Sequence, residues 1–204
     1  MVEVWGLTGP SGSGKTTAAR LLRHYGCTVL DCDEIARGVT DADLHCKKAL
    51  CEAFGHDILQ ENGRLNRGLL AQRAFRDRAN TQRLNAVVAP YILKEVRERM
   101  RREMQLGEGV LVLDAPTLIE SGLYKDCDCV IVVTAPAPLR LERIMKRDGI
   151  TRQQALLRMQ AQPPDSFYAQ YADVLLDGAG EDFLAQIADL TGGGGYSEEN
   201  LQEN

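Results

Sequence analysis

Lys15 and Thr16 close the stretch Gly9-Pro10-Ser11-Gly12-Ser13-Gly14-Lys15-Thr16, which fits the phosphate-loop spacing G-x-x-x-x-G-K-S/T. The glycines let the backbone turn so that successive N–H groups face one polyphosphate, and the helix that follows adds its positive end. Lys15 would reach the β- and γ-phosphates, and Thr16 would offer its hydroxyl to Mg²⁺. An ordinary Gly-Ser turn could share these letters, but not their setting. Residues 2–7 form an apolar run that reads as a buried strand, and residues 17–25 space Ala18, Ala19, Leu21 and Leu22 as a helix does. Strand, loop and helix in that order predict a nucleoside triphosphate site.

Two further sets of residues could act on a phosphoryl group. Asp31 and Asp33 follow the short apolar run 27–30, at the strand edge where ligands of open α/β sheets collect. Asp33 reads equally as the N-cap of a helix beginning at Glu34 or as a catalytic carboxylate. Asp114 ends the apolar run 110–113, a Walker-B-like element whose acid can hold Mg²⁺ directly or through water. Arg140, Arg143 and Arg147 are spaced for one helix face. They are expected to lie on a mobile lid that closes over the transferring phosphate, extended by a second polar helix over 151–162 and ended by Pro163-Pro164. Residues 64–102 hold eleven Lys and Arg against three acids, in a chain whose net charge is −5. That excess suits either a solvated helix face or an acceptor carrying phosphates.

The elements that must position these groups fit one nucleotide-binding core with insertions in 204 residues. All-apolar runs at 110–113 and 130–133 read as strands of a parallel sheet covered on both faces. Helices are expected over 43–54, about 67–77, through 84–88, and from Pro90 to 104, with Pro90 opening the last of them. Leu69, Leu70, Ala74 and Phe75 are expected to face inward, as are Ile92, Val96, Met100 and Met104. A last short strand spans 173–177. Residues 191–204, glycine-rich and polar, are expected to be a disordered tail. No apolar run approaches a membrane span, and net charge argues against a general nucleic-acid binder. The six cysteines have no metal-ligand spacing, and His45, Cys46, Cys51 and His56 read as members of an amphipathic helix. Reduced thiols and a cytoplasmic location are expected.

Taken together, the motifs resemble the dephospho-coenzyme A kinase family over nearly the whole chain. Gly6-Leu7-Thr8-Gly9 opens the phosphate loop, and Asp31-Cys32-Asp33 is followed by Ile35-Ala36-Arg37. Phe54-Gly55, Ile58, Gly63, Leu65, Arg67 and Leu70 come next, then Asp114-Ala115-Pro116-Thr117-Leu118-Ile119-Glu120, Arg143 and Arg147, and finally Ala172-Asp173, Asp177 and Gly180. The resemblance implies an α/β fold: a five-stranded parallel sheet with flanking helices, in a single phosphate-loop kinase domain over 1–190. It implies a helical acceptor-binding insertion at about 55–106 and a lid at about 143–164. It implies ATP, with Mg²⁺, as phosphoryl donor, held by Ser11, Gly12, Ser13, Gly14, Lys15, Thr16 and Thr17, with Thr16 and Asp114 on the metal. Dephospho-coenzyme A is then the small-molecule acceptor, with Asp33 at its hydroxyl and Arg67 and Asp114 on the substrate side. Lys15, Arg143 and Arg147 would neutralise the transferred group. Two positions depart from the family: Ala89-Pro90 stands where His-Pro is usual, and Gly178 or Ala179 where Asn is usual.

Overall fold

The computed structural model describes residues 1–192; the expectation for the tail beyond them lies outside the described residues. The chain divides into two compact units. One comprises Met1–Leu30 and the chain from Gly107 onward, and the other is Asp31–Leu106.

The first unit holds a five-stranded sheet of β1 (Val2–Thr8), β2 (Thr28–Asp31), β3 (Gly109–Asp114), β4 (Cys129–Thr134) and β5 (Val174–Asp177), in the order β2-β3-β1-β4-β5. The β1–β3, β1–β4 and β4–β5 pairs are parallel, with Leu7 opposite both Asp114 and Ile131. Side chains alternate faces along a strand, so a run apolar at every position must be covered on both sides. That is what β1 and β4 show: residues 4–8 and 130–133 are buried throughout. Helix α1 (Lys15–His24) turns Ala18, Ala19, Leu21 and Leu22 onto one face of the sheet, where they join Trp5, Leu7, Val112, Ile131, Val133 and Leu176 in the main core.

The second unit is helical: α2 (Cys32–Ala42), α3 (Leu44–Phe54), α4 (Arg67–Ala74) and α5 (Arg78–Leu106). It begins at Asp31, whereas the sequence placed the insertion's start near residue 55, because α2 and α3 pack on α5. Cys46 and Cys51 are buried on α3 beside Leu50 and Phe54, as its amphipathic spacing requires. The largest correction concerns Pro90. Instead of opening a helix, it lies inside one continuous 29-residue helix, α5. An interior proline removes one ladder hydrogen bond and crowds the carbonyl four residues before it. Here Pro90 and that residue, Ala86, are both exposed, so water can satisfy the freed carbonyl while Val96 and Met100 hold the helix from the buried side. Phe75 and Met104, expected inside, are 65% and 46% exposed.

The chain after β4 continues the first unit with α6 (Ala137–Asp148), α7 (Arg152–Gln160), α8 (Asp165–Ala169) and α9 (Phe183–Leu190). Thr151 and Gln154 form a reciprocal capping box at the start of α7. Among the described residues, no helix is long and apolar enough to cross a membrane.

Candidate active site

The phosphate loop hangs from the C-terminal end of β1, the central strand. Gly12 sits at φ +79°, and a Cβ there would lie 2.6 Å from the backbone oxygen of Arg140, so only glycine lets the loop pass. The amide of Ser13 donates to Pro10 O at 3.2 Å and closes the turn. The first intrahelical bond of α1 runs from Ala18 to Gly14, and Gly14 carries no side-chain cap. Among the described residues, the amides of Gly12, Gly14, Lys15, Thr16 and Thr17 therefore have no acceptor in the protein. A run of unpaired N–H groups at a helix start suits a polyphosphate and little else.

Lys15 Nζ is ion-paired with Asp114 Oδ1 at the end of β3; their side chains are 17% and 11% exposed. β1, which the loop follows, and β3 are register neighbours, so the start of α1 and the end of β3 bring together a cation and a carboxylate 99 residues apart in sequence. Thr16 is exposed on the first turn of α1. Asp114 and the Thr16 hydroxyl are the oxygen ligands offered here, and a Mg²⁺ completed by phosphates and water needs no more than one or two protein oxygens.

Helix α6 differs from a free basic flap. Arg140 is buried and paired with Asp165 at 3.0 Å, so it does not share an open face with the other two arginines. Arg143 donates from Nη1 to the carbonyl oxygens of Gly12 and Ser13, each at 3.2 Å, and from Nη2 to Gly178 O at 2.8 Å. It ties the phosphate loop to the turn that follows β5. Arg147 is held by its neighbour Asp148 at 2.8 Å. The hydrogen bond to Asp148 raises the Arg147 guanidinium above its ordinary value, and the same bond lowers the Asp148 carboxyl. Gln162, which the sequence reading passed over, accepts the Ser11 amide on Oε1 at 2.9 Å. Its only sequence signal was a carboxamide placed just ahead of Pro163-Pro164.

In the helical unit, the cap of α2 is Asp31, which accepts the Glu34 amide at 2.8 Å. Asp33 is exposed in the first turn of that helix, and among the described residues no hydrogen bond or ion pair engages its carboxylate. Arg67 opens α4 and spans to α2, reaching Asp41 at 2.8 Å, Thr40 Oγ1 at 3.1 Å and Arg37 O at 3.2 Å. It lines a cavity of about 360 Å³, walled by Leu65, Leu70, Phe75, Leu84 and Val88 with Arg37 and Thr40 at its polar side. Ala89 lies half-buried inside α5.

The central loop, the parallel sheet and the acid-tipped neighbouring strand define a phosphate-loop kinase of the α/β class. A family model for dephospho-CoA kinase matches residues 3–182. A dephospho-CoA kinase from Corynebacterium glutamicum is 37% identical over 187 residues, covering 91% of this chain and 94% of its own. The crystal structure of TT1252 from Thermus thermophilus superposes with a TM-score of 0.76 at 32% identity, over 92% of this chain and 95% of that one. Shikimate kinase from Acinetobacter baumannii shares the fold alone, at 17% identity and a TM-score of 0.50, over 93% of this chain and 91% of its own. The chain belongs to the dephospho-CoA kinase family.

Proposed function

We propose that the chain transfers the γ-phosphoryl group of ATP to the ribose 3′-hydroxyl of dephospho-coenzyme A, the last step of coenzyme A synthesis. The observation that carries this reading is the run of unpaired loop amides in a chain of that family. Bound ATP supplies the phosphoryl group, and Mg²⁺ neutralises its oxygens. The transition state of such a transfer is loose, so the protein's work is positioning and charge stabilisation. The amides of Gly12, Gly14, Lys15, Thr16 and Thr17 form the cradle, shaped by Ser13, whose amide closes the turn on Pro10, and bordered by Ser11, whose amide is held by Gln162. Lys15 exchanges its carboxylate partner for phosphate oxygens, which leaves Asp114 to the metal beside Thr16.

Asp33 orients the acceptor hydroxyl and takes its proton late, since a carboxylate is too weak a base to strip an alcohol beforehand. The cap of α2 is supplied by Asp31, so Asp33 is spared for that role. Arg67 and the helical unit serve the acceptor. Arg143 acts by holding the loop in shape, and Arg147 shares its partner, Asp148, with Arg158. The test is ADP release from ATP with and without dephospho-coenzyme A, and identification of the product's phosphate position. Release that depends on the acceptor and yields the 3′-phosphate supports the proposal; acceptor-independent hydrolysis overturns it.

A further inference from the structure

We propose that Gln162 is a phosphate-binding residue, its carboxamide anchored to the loop by one atom and presenting the other to the terminal phosphate of the nucleotide. The Ser11 amide can only donate, so the atom 2.9 Å from it must be Oε1. That fixes the orientation of the planar group and leaves Nε2 with both N–H bonds; among the described residues neither has an acceptor. Ser11 borders the run of amides that has no protein partner, so Nε2 is carried at the edge of the cradle.

The basic side chains around it favour this assignment. Arg140 is committed to Asp165, Arg143 to three backbone carbonyls, and Arg147 and Arg158 to the same Asp148. Of the cations on α6 and α7, only Lys146 and Arg152 have no partner among the described residues, and both are exposed. An uncommitted donor already fastened to the phosphate loop is therefore a neutral one. Its place ahead of Pro163-Pro164 gives it a stiff attachment, because proline fixes φ and restricts the residue before it.

The experiment compares MgATP with MgADP by calorimetric titration of the full chain, without acceptor, so it is independent of which alcohol is phosphorylated. Gln162→Ala removes anchor and donor. Gln162→Glu keeps an acceptor for Ser11 but replaces the donor with a negative charge. A hydrogen bond to a charged group is worth about ten- to a hundredfold in binding. Gln162→Ala is expected to weaken MgATP by about tenfold or more while leaving MgADP within about threefold, and Gln162→Glu to weaken MgATP further. Equal loss for both nucleotides would make Gln162 a brace of the loop alone and overturn the proposal. Unchanged or tighter MgATP binding would make its carboxamide a competitor for the Ser11 amide, and would overturn it as well. Unfolding midpoints of both variants within the wild-type range exclude a general loss of structure, and a shift common to both with intact ATP selectivity counts against the proposal.

Discussion

Lys15, the first residue of α1, and Asp114, the last of β3, hold each other as counter-ions beside the C-terminal end of the central strand β1. Under the proposed function the cation for the phosphates is stored on the carboxylate that would serve the metal, and as an ion pair neither is left uncompensated in a largely buried site. Lys15→Ala breaks the arrangement from both sides. It is expected to lower kcat/KM by about 10²–10³-fold or more, the range for losing one charge-stabilising donor. Steady-state turnover of a variant with wild-type circular dichroism is the check, and near-normal rates would remove the nucleotide-site assignment.

The neighbouring carboxylates Asp31 and Asp33 are predicted to fail differently. Asp31→Ala deletes a helix cap and should cost about 1 kcal/mol of stability, read as a lower denaturant midpoint. Asp33→Asn should leave that midpoint and ATP affinity in place while kcat falls by about 10²–10⁴-fold, as for a lost general base. Full activity in the Asn variant would return Asp33 to the surface of α2 with no chemical role.

A third test concerns Gly178. A Cβ at this position would lie 1.9 Å from the backbone oxygen of Ser13 and 3.0 Å from Val133 Cγ1. Backbone cannot yield as a side-chain tip can, so Gly178→Ala must displace the phosphate loop or the turn after β5. The expected result is a loss of about 1–3 kcal/mol in stability together with weaker ATP binding. Gly38→Ala is the control. It lies inside α2 with nothing within 4 Å of the new Cβ, and should stabilise by roughly 0.5–1 kcal/mol. Equal behaviour of the two variants would show that the close approach has no consequence.

Acid should loosen the helical unit through Arg73. This guanidinium grips both oxygens of Asp57, at 2.6 and 2.5 Å, and the carbonyl of Phe54 at 2.5 Å, so it staples the turn between α3 and α4. The Arg73 hydrogen bonds hold the Asp57 carboxyl below its ordinary 3.8. A carboxyl depressed on folding contributes stability above its unfolded value and loses it as pH falls toward its folded value. The stability gap between wild type and Asp57→Asn should therefore be widest above about pH 5 and narrow progressively as the pH falls through and below the ordinary 3.8. Urea midpoints across that range decide the matter, and a gap that does not narrow on acidification would exclude the carboxylate as its source.

Much of this was legible in the chain because the signals were local. The glycines and lysine of the loop, the apolar runs ending at Thr8, Asp114 and Thr134, and the spacing of α3 each stand in a few consecutive residues. Pro90 misled because its cost depends on which face it occupies, and an exposed proline on a helix held elsewhere by Val96 and Met100 does not break it. Asp33 reads as the cap of a helix beginning at Glu34, but α2 starts at Cys32 and Asp31 is its cap, because where the chain leaves β2 is a matter of one or two residues of backbone geometry. Arg143 looked like a free cation because its partners are three carbonyl oxygens, which every residue type carries. Gln162 left almost no trace for the same reason, and Gly178 showed only as a departure from the family's usual Asn, since both act on the backbone of residues far off in sequence.

The sheet order also bears on how the chain is made. Its first strand emerges from the ribosome without a partner, for Val2 pairs with Gly109 and Trp5 with Cys129. In between comes Asp31–Leu106, a compact unit whose internal helix contacts can form while synthesis continues. For more than a hundred residues of translation β1 and its glycine loop lack the strands that flank them. The nucleotide cradle is therefore encoded well ahead of the strands that flank it and assembled late, once those strands have been translated.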